Sequence, residues 1–223
     1  RGGGGVVLVF IEAWNIFILK KEVILSALGT HILLVVWSSL IAITLGVTIG
    51  ILISRSQKLG EVVIGFAGVL YTIPILAFLG FLIPIMGIGT KPAVIALTIY
   101  GILPILRNTC VGINQVSSAA KEAAVGVGAS KWQVLTRVEL PLAFPVIIAG
   151  IRTSVVMNFS LATYATFIGG GGMGNVIMQG MRTYNNGLLI AGTLVVAFAT
   201  VFLDRIIGWL EHGVQKKYGL LGA

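Results

Sequence analysis

The chain has 223 residues, 57% of them hydrophobic and only 10% charged, with a formal net charge of +8. Soluble domains are about 45–50% apolar and about 25% charged, and a core large enough to hide this much apolar surface is out of reach at this length. A water-soluble globular protein is therefore excluded, and a nucleic-acid binder with it, because the bases form no stripe and lack flanking stacking aromatics.

In chain order, residues 1–5 (RGGGG) carry no initiator Met and are set outside the fold reasoning as an added remnant. Residues 6–19 (VVLVFIEAWNIFIL) contain Glu12 and fall short of the roughly 20 apolar residues that cross a bilayer. They are expected to form a helix lying at the interface, followed by the charged break Lys20, Lys21, Glu22. Ile32–Ser54 is the first uncharged run and Val62–Met86 the second, kinked or broken by Pro74 and Pro84. The third runs from Pro92 to about Ile113 and holds Pro104 and Arg107. The fourth, from about Pro145 to Ile168, has Arg152 near its start, and the fifth, Leu188 to about Trp209, has Asp204 and Arg205 near its exit. The fold class is an all-α, multi-pass cell-membrane protein of about five transmembrane helices.

Orientation follows from the bases. With the loop at residues 55–61 in the cytoplasm, that side collects Arg55, Lys58, Arg107, Lys121, Lys131, Arg137, Arg152, Arg205, Lys216 and Lys217. The other side keeps Lys20, Lys21, Lys91 and Arg182. This positive-inside bias puts the N-terminus outside and the C-terminus inside. Three regions result: residues 1–30 with the interfacial helix, a transmembrane domain over 31–215, and a cytoplasmic tail over 216–223. Trp14, Trp37, Trp132 and Trp209 are scattered over both faces, as interfacial belt residues are, and make no cage for a cation. The single cysteine, Cys110, excludes an intrachain disulfide, and His31 and His212 are too far apart to suggest a metal pair.

The longest loop, residues 114–144, lies on the cytoplasmic side between the third and fourth spans. Its Ala-rich stretch 119–127 predicts a short helix, which Gly128 turns. Ser130 with Gln133 predicts a capping box that opens a second short helix, and Pro141 and Pro145 are expected to end it. Within this loop, Glu122-Ala123-Ala124, three residues, Gly128, nine residues and then Val138-Glu139-Leu140-Pro141 resemble the EAA motif of permease subunits of ATP-binding-cassette importers. Val138 in place of Ile is the sole departure. The resemblance extends over roughly residues 25–215 and is to type I importers. It implies that this loop holds the coupling helix that docks on an ATPase subunit, with Glu122, Ala123, Ala124, Gly128, Leu140 and Pro141 as the coupling residues.

The chain lacks GK[ST], so it has no phosphate-binding loop of its own. The run from Gly169 to Gly174 is followed by no Lys and is expected to be a flexible turn on the outer side. The resemblance therefore implies no catalysis and no cofactor in this chain, with ATP and Mg held by separate cytoplasmic ATPase subunits. It also implies a second permease copy or a paralogue, an extracytoplasmic substrate-binding protein that is separate or tethered elsewhere because this chain ends at Ala223, and surrounding membrane lipid.

Residues 71–109 and 149–156 (AGIRTSVV), with the TIP, GILPILRNT and late GGxG stretches, resemble the osmoprotectant subgroup, which imports glycine betaine, carnitine and choline. A methionine-type amino-acid permease is the alternative, and a passive channel or membrane scaffold leaves the motif unexplained. A secondary transporter would show internal repeats and membrane-embedded acids. Among the spans the only acidic residue is Asp204, at an end, so a quaternary amine would cross by way of water, carbonyls and aromatics. Tyr71, Thr72, Ser154, Asn158, Ser160 and Thr163 are candidate pathway residues, as intramembrane polar groups are by default. Arg107, Arg152 and Asp204 are candidate gate charges, with Asp204 expected to contact one of the two arginines.

Overall fold

A computed structural model gives the architecture and describes residues 3–217. Among these the chain is helical, in the order α1 (Gly3–Leu19), α2 (Lys21–Ile53), α3 (Gln57–Thr72), α4 (Ile75–Met86), α5 (Thr90–Asn114), α6 (Ser118–Gly126), α7 (Lys131–Val134), a π turn (Leu135–Glu139), α8 (Leu140–Leu161), a 3-10 turn (Ala162–Ile168), α9 (Met173–Arg182) and α10 (Asn186–Lys217). By length and composition α2, α5, the continuous stretch Lys131–Ile168 and α10 can each cross a membrane. The pair α3 and α4, bent by 94° at the break before Ile75, makes a fifth span if counted as one. The break comes at Pro74, which caps α4, while Pro84 is absorbed inside it.

Two boundaries differ from the sequence reading. The helix read as beginning at Ile32 begins at Lys21, with only a turn at Lys20 separating it from α1. Pro141 and Pro145 do not end a loop helix, because α7, the π turn and α8 run on without interruption. The physical reason lies in the π turn. Leu140 donates to Leu135 O, five residues back, and this widened turn just ahead of Pro141 relieves the clash and the missing donor that a proline brings to an α-helix. Of the tail expected over 216–223, residues 218–223 lie outside the described residues.

The chain folds into two compact units. The first comprises the described residues within 1–40, 73–98 and 156–203. Its core gathers Ile24, Met173, Val176 and Leu188, with Phe17 and Leu28 packed on them. His31, fully buried, fastens it. Its Nδ1 accepts from the Met173 backbone N–H at 3.3 Å, so Nε2 carries the proton and donates to Phe159 O at 2.8 Å. The Gly-rich run is a built turn: Gly172 caps α9 at φ +86, and a side chain there would press on the His31 ring.

The second unit comprises the described residues within 41–72, 99–155 and 204–223. Here Gly46 and Gly50 in α2 lie against Ile105 and Thr109 in α5, so closely that a Cβ would stand 2.9 Å and 2.6 Å from those side chains. This is the small-residue spacing by which helices approach in lipid, where apolar surface alone gives no drive to associate. Ile113, Val116, Ala143 and Ile147 form one buried cluster, and Ile53, Leu106 and Cys110 another. Together they fix the ends of α2, α5 and α8 around the motif-bearing segment.

Candidate functional site

The segment 118–141 is built from local rules. Ser118–Gly126 forms α6, whose end is closed by two bonds, Ala129 N–H to Ala124 O at 3.0 Å and Gly128 N–H to Val125 O at 2.9 Å. This is a Schellman closure, which requires a left-handed residue at the position Gly128 occupies, and Gly128 has φ +87. The spacing from Glu122-Ala123-Ala124 to Gly128 is thus the spacing from the last full turn of a helix to its stop. The capping box forms as expected: Ser130 Oγ accepts from Gln133 N–H at 3.3 Å, and Ser130 N–H donates to Gln133 Oε1 at 2.8 Å.

Glu122, Ala123 and Gly128 are exposed, while Ala124, Leu140 and Pro141 are half-buried. Beside them Val125, Val127 and Trp132 are 60%, 87% and 70% exposed. A concavity of about 340 Å³ opens between the two arms of the segment, bordered by Ala124, Gly128, Gln133 and Val138. An exposed apolar rim thus surrounds the small side chains of the segment.

Behind this segment lies a group that sequence reading missed. Glu139 is 3% exposed and sits 2.8 Å from Arg55 Nη2 and 3.4 Å from Lys121 Nζ. The signal was there, in a carboxylate between Val138 and Leu140 in an apolar helix, but its partners are 84 and 18 positions away and only the fold brings them in.

The gate candidates separate. Arg152, in α8, reaches α10, donating from Nε and Nη2 to Asp204 at 2.7 Å and 2.9 Å and from Nη1 to Glu211 at 3.0 Å. Its guanidinium rests over Gly208, where a Cβ would stand about 3.0 Å from it. Asp204, Gly208 and Glu211 share one helix face by their spacing, so one planar fork serves two carboxylates. Glu211 was not foreseen, and Arg107, exposed, takes no part in this cluster.

The pathway candidates divide as well. Ser154 is fully buried and donates to Gly101 O at 2.8 Å, bridging α8 to α5. Asn158 is fully buried too, and its amide meets no partner among the described residues. Tyr71 is 39% exposed, with its ring 5.8 Å from that of Tyr100. Thr72 and Ser160 are exposed and Thr163 half-buried, but the two threonine hydroxyls are spent on Val69 O and Ser160 O. Tyr71, Thr72 and Ser154 belong to the second unit, and Asn158, Ser160 and Thr163 to the first.

Comparison with known proteins adds three findings. Residues 42–216 match the family described as binding-protein-dependent transport system inner membrane component. The chain is 40% identical over 198 residues to the glycine betaine/carnitine/choline transport system permease protein OpuCB of Bacillus subtilis, covering 87% of this chain and 89% of that one. It is 41% identical over 197 residues to the carnitine transport permease protein OpuCB of Listeria monocytogenes (85% and 90% covered), and 40% identical over 190 residues to the osmoprotectant import permease protein OsmW of Salmonella typhimurium (83% and 86%). Among solved structures, an inward-facing form of the MetNI methionine ABC transporter superposes with a TM-score of 0.81 at 18% identity, covering 87% of this chain and 97% of that one. At that identity the likeness is one of fold.

Proposed function

Because the chain belongs to the family of inner membrane components of binding-protein-dependent transport systems, we propose that it conducts a quaternary-amine osmoprotectant, of the class of glycine betaine, carnitine and choline, across the cell membrane. The observation that carries the substrate class is the 40–41% identity, over most of both chains, to permease proteins named for glycine betaine, carnitine and choline or for carnitine. It works beside a second copy or a paralogue, as the paired names OpuCB and OpuCD of Bacillus subtilis suggest. Its substrate arrives from an extracytoplasmic binding protein. The N-terminus is outside, the C-terminus inside, and α6 with α7 is the cytoplasmic coupling element.

The mechanism is conduction under the control of a partner. An ATPase subunit, which binds ATP and Mg, seats the Glu122–Gly128 helix and its rim of Val127 and Trp132, with Leu140 and Pro141 carrying the displacement into α8. Arg152 occupies Asp204 and Glu211, so neither carboxylate stands free as a trap for a cationic solute. Making and breaking that contact gives the cytoplasmic mouth two states of different energy. Tyr71 offers the type of aromatic face over which an ammonium group passes without being held. Selectivity then belongs to the binding protein and vectorial drive to the ATPase.

The test is co-purification with the ATPase encoded nearest to this chain, followed by ATP hydrolysis in vesicles supplied with binding protein and labelled betaine, carnitine, choline or methionine. Stimulation and uptake by one or more of the quaternary amines are expected. Stimulation by methionine alone transfers the chain to the amino-acid importers, whose fold it shares.

A further inference from the structure

Glu139 sits where an ionised side chain is costly unless it is paired, and its pairing joins four pieces of the second unit. Arg55, from the turn between α2 and α3, reaches Oε2 with Nη2 at 2.8 Å and Oε1 with Nη1 at 3.3 Å. Lys121, from α6, reaches Oε1 at 3.4 Å. The same ammonium donates to Ile113 O, in the last turn of α5, at 3.3 Å. Glu139 itself closes the π turn that leads into α8. The extra residue held in such a turn rotates the rest of the helix by about 100° relative to an unbroken α-helix. Glu139 is buried while Arg137, two residues earlier and on the opposite face, is exposed.

We propose that Glu139 is a positioning residue for coupling: it makes the motif helix α6 and the foot of α8 move as one body when a partner pushes on the segment. The proposal rests on the reading of α6 and α7 as the ATPase contact. Lys121 immediately precedes Glu122-Ala123-Ala124, so any displacement of that helix drags the Lys121 ammonium. Separating it and Arg55 from Glu139 would leave a buried charge uncompensated, which is far costlier than moving the three together. Without the carboxylate charge α6 can follow its partner alone, and hydrolysis proceeds without transport.

The experiment reconstitutes the complete transporter, with its ATPase and binding protein, and measures uptake and ATP hydrolysis in the same vesicles. Glu139→Gln is expected to keep the ATPase bound and hydrolysing while transport per ATP falls about ten-fold, within the range by which linking residues shift a coupling. Glu139→Asp, which keeps the charge, retains more of that ratio. Wild-type transport per ATP in Glu139→Gln overturns the proposal, as does a parallel loss of hydrolysis, transport and ATPase binding, which marks a merely structural role. Should Glu139→Gln not fold and insert in the membrane, Lys121→Met decides, because it leaves Glu139 paired with Arg55. A lowered ratio supports the proposal and an unchanged one overturns it. If the unmodified chain binds no ATPase, the reading of the segment fails first, and this proposal with it.

Discussion

Gly128 stands at φ +87 with open space around the position a Cβ would take. Substitution there is therefore a backbone question and not a packing one. A β-branched side chain resists the left-handed region, at about 1–2 kcal/mol, while Asn tolerates it through local hydrogen bonding. Gly128→Val is expected to reopen the end of α6 and lower uptake roughly ten-fold, the shift that such a strain implies, with the protein still inserted in the membrane. Gly128→Asn should lose much less. Uptake assays on membranes with matched protein levels check this ordering. Equal uptake in all three forms would remove Gly128 from the coupling machinery.

At the scale of elements, Arg152 is the contact between α8 and the end of α10. A double-mutant cycle on uptake with Arg152→Gln and Asp204→Asn should be non-additive, the second change adding little once the first is made. The cycle with Arg107→Gln and Asp204→Asn should be additive, since Arg107 takes no part in the cluster. Additive losses in the first cycle would leave the gate idea without support. The same contact shows what a sequence does and does not disclose. Long, mostly apolar runs marked the candidate spans, because lipid admits little else, and Pro74 marked the break between α3 and α4. Pro141 misled, since the π turn that accommodates it depends on bonds no local pattern announces. Asp204 was legible as a charge in need of a partner, but Glu211, Glu139 and His31 acquire their roles from residues tens of positions away. The Gly46 and Gly50 spacing was readable in principle as a helix-packing signal, though which helix it meets was not. Ser154, chosen as a polar lining group, serves as a bridge between helices, which is the other common use of a serine in lipid.

At the scale of the whole molecule, the cations divide unevenly between the two units. Arg55, Lys58, Arg107, Lys121, Lys131, Arg137, Arg152, Arg205, Lys216 and Lys217 all fall in the second unit, whereas Lys20, Lys21, Lys91 and Arg182 fall in the first. A membrane sorts loops by their Lys and Arg content, so the segment that carries α6 and α7, with Lys121, Lys131 and Arg137, is expected on the cytoplasmic side. Ser118 in the second unit and Thr183 in the first are both exposed, and the only native cysteine, Cys110, is buried. In a Cys110→Ala background, Ser118→Cys should react with a membrane-impermeant maleimide only in inside-out vesicles, and Thr183→Cys only in intact cells. Labelling of each from the opposite face would invert the chain, turn the Glu122–Gly128 helix away from the compartment that holds ATP, and with it end the assignment of that helix to an ATPase.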